Sequence, residues 1–136
     1  MRTITKNISL PVDGERREFR LTKLDAFSGA ALLRLIRRHL PAESLESASA
    51  DQLPDRIFSS LTDAELRALM TSCLNHTEVL LEAGYQPVMT GEDWGYPELS
   101  HDAGTCLRLT LQSVLWTLHD FFGDGGSTSR SAPPSA

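Results

Sequence analysis

A long amphipathic segment, residues 98–123, has the strongest hydrophobic pattern of the chain. With Leu107 as the origin and 100° of rotation per residue, six apolar side chains fall within about 60° of it, which predicts a helix with one core-facing stripe. They are Ala103, Leu111, Val114, Leu118, Phe121 and Phe122. Leu109 and Trp116 fall on the opposite side, where a helix on a small domain usually carries polar residues. They are therefore the candidate partner-binding residues, unless the helix is buried on both sides.

Residues 3–23 alternate apolar and polar positions, the pattern of half-buried strands. Asp13 and Gly14, in the middle, form a dipeptide that tight two-residue turns favour. We therefore expect an antiparallel hairpin over this segment. Pro11 cannot donate a hydrogen bond to a neighbouring strand, so the first strand is expected at an edge of the sheet.

The next segment predicts a helix that begins at a cap, Asp25 or Ser28, and ends near Leu40, because proline follows at position 41. A short helical turn is expected at residues 54–58, since proline is tolerated in a first turn.

The clearest helix start lies at residues 62–65. Thr62 and Glu65 have the spacing of a capping box, in which each side chain bonds the other residue's backbone N–H. An apolar stripe then runs to about Asn75; it consists of Leu66, Leu69, Met70, Cys73 and Leu74. This helix is expected to pack on the core.

Residues 77–89 suggest a second, shorter hairpin, with strands at 77–81 and 85–89 on either side of Gly84. The aromatic loop that follows, residues 90–97, contains Trp94 and Tyr96. Its rings either plug the domain or contact a partner. Plugging is favoured, because a buried ring contributes a large area and needs only one polar contact.

These elements predict an α+β fold, in which an N-terminal hairpin packs with three to four helices. Residues 1–123 are expected to form a single domain, joined internally by a connector at 41–53. Residues 124–136 are rich in Gly, Ser and Pro. Because such a composition cannot repay the entropy of ordering, a flexible tail is expected there.

The charge of the chain is unevenly distributed around its net value of −5. Residues 1–40 hold nine Lys or Arg against four Asp or Glu, whereas residues 41–136 hold four against fourteen. The two halves can pack on each other, or copies can associate head to tail. Nucleic-acid binding is not expected, because the basic residues lack interleaved aromatics and the whole chain is acidic.

Apolar runs fall far short of the ~18 residues of a membrane span, and the N-terminus lacks the apolar core of a signal peptide. A cytoplasmic location is expected, with Cys73 and Cys106 as buried thiols. Only Cys73 and His76 are spaced as two ligands on one helix face, and a zinc site needs about four. No metal, cofactor or catalytic activity is expected.

Three stretches resemble the tail assembly chaperones of long-tailed bacteriophages. They are a basic strand that leads into an amphipathic helix (18–29), a capped middle helix (61–66) and a last helix that closes on a phenylalanine pair (118–123). The resemblance covers about residues 15–123. It does not account for the 41–58 connector or for the aromatic loop around Trp94.

The resemblance implies an interaction protein that coats the tape-measure protein before the tail tube polymerises, and that is absent from the mature virion. In that family a frameshift often yields a longer form whose extra domain recruits tail-tube subunits. The other reading of the chain is a small cytoplasmic adaptor or regulator that dimerises through its C-terminal helix.

Overall fold

The computed structural model describes residues 4–40 and 52–124, which form an α+β fold. The elements in chain order are β1 (Thr5–Val12), β2 (Glu15–Thr22), α1 (Ala26–His39), α2 (Leu53–Ser60), α3 (Asp63–Leu74), β3 (Thr77–Leu81), β4 (Gly84–Pro87), β5 (Met89–Thr90), β6 (Asp93–Trp94) and α4 (Ala103–Leu118). A 3₁₀ turn at Pro97–Leu99 precedes α4, and a π-helical turn at His119–Asp124 follows it.

The predicted N-terminal hairpin is confirmed. Its turn consists of Asp13 and Gly14, which both adopt left-handed backbone conformations with φ of 52° and 83°. Two such residues form the turn whose twist matches that of the flanking strands. Strand β1 lies at the edge of the sheet, where Pro11 is tolerated.

The second hairpin, β3 with β4, is also present, although β4 ends at Pro87 rather than at residue 89. Strand β3 pairs with β2, so the two hairpins make one antiparallel sheet in the order β1-β2-β3-β4. Phe19 lies opposite Val79, and both are fully buried on the face that carries the helices. The other face is polar: Arg20 donates to Glu78 at 2.6 Å and stacks over Tyr85.

Helices α1 and α3 contact each other at both ends. Asp25 caps α1 by accepting a hydrogen bond from the Ser28 backbone N–H, and it also contacts His76, just beyond α3. His39, the last residue of α1, lies 2.9 Å from Glu65 in the first turn of α3. Because the start of each helix meets the end of the other, the two helices are antiparallel.

The predicted capping box of α3 is formed. The Glu65 N–H donates to the Thr62 hydroxyl at 3.1 Å, and the Thr62 N–H donates to the Glu65 carboxylate at 2.9 Å. The short turn predicted at 54–58 is a full helix, α2, which buries Ile57 completely. Residues 41–51 of the predicted connector lie outside the described residues.

Helix α4 lies in the centre of the fold. Its Cys106 and Leu109 join the apolar cluster beneath the sheet, whereas Val114 and Leu118 join the cluster formed with the other helices. The single-stripe prediction for this helix is therefore wrong in part. Ala103 and Phe121, two members of the predicted stripe, are exposed.

Within residues 4–40 and 52–124, none of the helices is long and apolar enough to cross a membrane. All of the predicted tail except residue 124 lies beyond the described residues.

Candidate helix-binding groove

The structure corrects the sequence-based choice of Leu109 as a partner-binding residue. Its side chain is 0% exposed and packs beneath the sheet. Helix α4 is buried on both sides at this position, which is the alternative stated in the sequence analysis above. The sheet covers the side of α4 that the single-stripe pattern predicts to face solvent.

Trp116 is half-buried and packs against the same cluster beneath the sheet. The ammonium groups of Lys6 and Lys23 lie 5.7 and 5.8 Å from its ring centroid, within the range of a cation–π interaction. Lys23 also pairs with Asp120, just beyond α4. Trp116 thus has several contacts within its own chain, which makes it a weak candidate for partner binding.

A different surface has the character of a binding site: an open groove of about 690 Å³ between α3, the β5–β6 hairpin and the start of α4. Its lower part consists of the buried side chains Leu74, Met89, Leu99 and Cys106. Its upper walls are the half-buried side chains Leu66, Met70 and Trp94. We call this the α3 groove. Its volume lies within the range of ligand-binding clefts.

One wall of the α3 groove follows directly from helix geometry. Leu66, Met70 and Leu74 are spaced four residues apart, so they form a row along one side of α3. The capping box fixes where this helix begins and therefore which side chains reach the groove. The sequence pattern shows that this row is apolar and predicts that all of it lies in the core.

Asn75 connects α3 by hydrogen bonds to the β5–β6 turn, which forms the other wall of the groove. Its side-chain amide donates to the Gly91 carbonyl at 2.9 Å and accepts from the Gly91 N–H at 2.7 Å. The same amide group donates to the Thr71 carbonyl. Gly91 has φ of +61°, a conformation that glycine adopts readily. The β5–β6 turn is thus held at a fixed distance from α3.

The two rings of the aromatic loop have different roles: one is part of the core, and the other also lines the groove. Tyr96 is only 2% exposed and belongs to the core, which confirms the predicted plug. Trp94 packs on the core with one part of its ring and lines the α3 groove with another. Gly95 between them lies so close to the Pro87 carbonyl oxygen that a Cβ atom would be 2.3 Å from it.

The Asp, Glu, Lys and Arg side chains that line the α3 groove are Asp63, Arg67 and Glu92. Arg67, on the opposite wall, lies 3.5 Å from Glu92, and both side chains are largely exposed. This ion pair offsets one of the two acidic charges that line the groove.

The two cysteine thiols give the α3 groove no activated nucleophile. Burial raises the pKa of the Cys106 thiol to about 11, and its Sγ donates to the Leu99 carbonyl. Burial raises the pKa of the Cys73 thiol to about 12. Both thiols are poor nucleophiles in this state. Within the described ranges no three His, Cys, Asp or Glu side chains are grouped as metal ligands would be.

Two sequence signals could have pointed to the α3 groove. Met70 and Met89 lie on separate elements that both line the groove, and flexible methionine side chains are frequent where a surface binds helices. Trp94 belongs to the aromatic loop, for which the sequence leaves partner contact as an alternative to plugging. Neither signal shows that the two elements meet, because that depends on the Asn75 bridge.

No protein-family model, no curated protein and no solved structure matches this chain.

Proposed function

We propose that this protein is a tail assembly chaperone of a long-tailed bacteriophage, and that the α3 groove binds a helical segment of the tape-measure protein. The resemblance of residues 18–29, 61–66 and 118–123 to that family supports the proposal. The observation that carries it is the α3 groove, an open apolar surface with half-buried Leu66, Met70 and Trp94. A chaperone needs such a surface, since an apolar groove holds an amphipathic helix without covalent chemistry.

In this proposal the protein acts in the cytoplasm of the bacterial host. It covers the apolar faces of the tape-measure protein until tail-tube subunits replace it, and it does not enter the mature virion. A longer frameshifted form would recruit the tube subunits through an additional domain. Reversible binding suits this role, because an open groove with flexible methionines releases its ligand more readily than a closed cavity.

The other reading, an adaptor that dimerises through its C-terminal helix, has less support. Seven of the sixteen residues of α4 are buried within the chain's own fold. A helix covered on two sides leaves little surface for a second copy.

The proposal predicts that a very long helical tape-measure protein is encoded next to this one, and co-expression with that protein tests it. Wild-type protein should co-purify with that partner. Leu66→Lys, which places a charge in the groove wall, should abolish co-purification while the circular dichroism spectrum stays unchanged. Leu80→Lys is the matched control, because Leu80 is a partly exposed leucine on the opposite, polar face of the sheet. It should bind as the wild type does.

Two results would contradict the proposal in different ways. If wild-type protein fails to bind the neighbouring tape-measure protein, the chaperone function is wrong. If the folded Leu66→Lys protein binds as well as Leu80→Lys, the function stands but the α3 groove is not the binding site.

A further inference from the structure

Both methionines of residues 4–40 and 52–124 line the α3 groove. Met70 lies on α3 and Met89 on β5, so they reach the groove from two different elements. The sequence contains one other methionine, Met1, which lies outside the described residues. The thioether groups of the described chain are thus concentrated at one surface, and a thioether is a side-chain group that oxidants convert readily.

The two methionines differ in how far solvent reaches them. Met89 is 8% exposed and belongs to the cluster beneath the sheet. Met70 is half-buried: it packs against that cluster and also forms part of the upper wall of the groove. A small oxidant in water can therefore reach the Met70 side chain without any change in the fold, whereas Met89 is largely shielded.

The cysteine of the groove is a poorer target for an oxidant. Cys106 is buried, and burial raises the pKa of its thiol to about 11. Peroxides react with the thiolate, which is a very small fraction of such a thiol at neutral pH. A thioether has no proton to lose, so its reaction does not wait for an ionisation. Oxidation at the groove should therefore fall on methionine.

We propose that Met70 is an oxidation site that controls whether the α3 groove binds apolar ligands. The oxidant is a peroxide, such as hydrogen peroxide. An S–O bond forms at the thioether as the O–O bond breaks, so the sulfur loses two electrons and the peroxide gains them. The second oxygen leaves as hydroxide and takes the proton of the transferred OH group, which gives methionine sulfoxide and water.

The sulfoxide changes the chemistry of the groove wall. Its oxygen is a hydrogen-bond acceptor, and Leu66 and Leu74, which flank Met70 in the row along α3, have no donor in their side chains. An apolar ligand that covers this oxygen removes its hydrogen bonds to water without replacing them. The oxidised groove should therefore bind apolar ligands about tenfold or more weakly.

This site also gives the α3 groove a regulation, and that part rests on the proposed function. Oxidation of Met70 weakens binding of the client helix, so the chaperone releases its client when peroxide is present. The change is reversible, because methionine sulfoxide reductases return the sulfoxide to the thioether. In that reaction a dithiol is oxidised to a disulfide, and the oxygen leaves as water.

Treatment of the full chain with hydrogen peroxide, followed by mass spectrometry of its peptides, tests the selectivity of the site. Met70 should be oxidised at least about tenfold faster than Met89. The Met70 rate should be the same at about pH 6 and about pH 8, whereas a thiolate reaction would become faster as the pH rises. The circular dichroism spectrum should stay unchanged, because Met70 lies at the border of the core.

The fluorescence of anilinonaphthalene sulfonate, a dye that binds apolar surfaces, measures the groove without any client. Peroxide should weaken dye binding to the wild type by about tenfold or more, and reductases for both sulfoxide epimers with dithiothreitol should restore it. Leu66→Lys should abolish dye binding before treatment, which places the dye in the groove. Met70→Lys serves the same purpose if Leu66→Lys does not fold.

Met70→Leu is the decisive variant, because it keeps an apolar side chain of similar size without the thioether. Each protein is compared with its own untreated sample, so any effect of the substitution itself on affinity cancels. Peroxide should leave the affinity of Met70→Leu for the dye unchanged, although Met1 and Met89 are still present. Met89→Leu should lose affinity on treatment as the wild type does.

The proposal is wrong if Met89 is oxidised as fast as Met70, if the dye does not bind the wild-type groove, or if peroxide leaves wild-type binding unchanged. It is also wrong if peroxide weakens binding to Met70→Leu as much as to the wild type. None of these results involves the client. If the tape-measure protein does not bind even untreated protein, the proposed function is wrong and the oxidation site stands. If it binds treated and untreated protein equally, only the control of client binding is wrong.

Discussion

The imidazole of His76, just after α3, lies 3.2 Å from the carboxylate of Asp25, which caps α1. The other ring nitrogen of His76 lies 2.8 Å from the Ser72 carbonyl, so both nitrogens face acceptors. At the opposite end of the helix pair, His39 contacts Glu65. Two histidine–carboxylate contacts thus join α1 and α3 at both ends, and each involves a carboxylate that also caps a helix.

These contacts predict how stability depends on pH. Hydrogen bonds from Ser28 lower the pKa of Asp25 from its ordinary 3.8 to about 2, and the Thr62 N–H lowers the pKa of Glu65, with a further contribution from His39. A carboxyl group whose pKa is lower in the folded state stabilises the fold above its unfolded pKa, and this contribution disappears as the pH falls through the folded pKa. The unfolding free energy should therefore decrease between about pH 5 and pH 2.

Urea denaturation at a series of pH values checks this expectation. Asp25→Asn should lower stability at neutral pH and flatten the decrease below pH 5, because the titrating carboxylate is gone. Asp93→Asn, at an exposed position of β6, is the control and should keep the wild-type slope. A wild-type slope in Asp25→Asn would show that Asp25 is not responsible.

The capping box and the buried stripe of α3 should contribute different amounts of stability. Thr62→Ala removes the acceptor for the Glu65 N–H and should cost about 1 kcal/mol of unfolding free energy. Leu69→Ala leaves a cavity between α3 and its neighbouring helices and should cost about 2–5 kcal/mol. Chemical denaturation measures both values, and equal, near-zero costs would contradict the observed packing.

The central position of α4 predicts that Leu109 acts in folding rather than in binding. Leu109→Ala should cost about 2–5 kcal/mol, because the side chain is fully enclosed. Leu107→Ala is a matched control on the same helix, since Leu107 is only half-buried, and it should cost less. Thermal and urea unfolding measure the difference. If Leu109→Ala were fully stable but lost its partner, the original assignment of Leu109 as a partner contact would be restored.

Two glycine-to-alanine changes should act in opposite directions. Gly95→Ala places a Cβ atom 2.3 Å from the Pro87 carbonyl oxygen, so the β6 strand must shift, and the loss should exceed about 1 kcal/mol. Gly29→Ala, within α1, meets only the Leu24 Cβ at 3.9 Å and should stabilise the helix by about 0.5–1 kcal/mol. Denaturation midpoints compare the two. A neutral Gly95→Ala would mean that the loop carrying Trp94 is not held tightly.

The turn and the helix caps could be predicted from the sequence, because they depend only on neighbouring residues. The turn at Asp13 and Gly14 and the box of Thr62 with Glu65 appear at the predicted positions, and Asp25 is the one of the two predicted caps that begins α1. Each of them depends on backbone conformation or hydrogen bonds within a few residues. The residue types that favour these conformations and bonds can be read in the sequence.

The sequence was less informative about surfaces made from distant segments. It predicted the strands of both hairpins but not that β2 and β3 would pair, because that contact joins residues 58 positions apart, as between Arg20 and Glu78. The sequence pattern also predicts that the whole apolar stripe of α3 lies in the core. Nothing in the neighbouring sequence shows that β5, β6 and α4 leave an open groove beside this stripe.

The sequence by itself determined the hairpins, the capped starts of α1 and α3, the apolar stripe of α3 and the charge asymmetry, because these follow from local conformation and composition. Only the tertiary structure decided which apolar faces are covered. The sheet packs on the side of α4 that carries Leu109 and buries that residue, whereas Leu66 and Met70 of α3 stay half-buried because they line the open groove. The periodicity of a helix shows where its apolar residues point, but the burial of each face depends on which distant element packs against it.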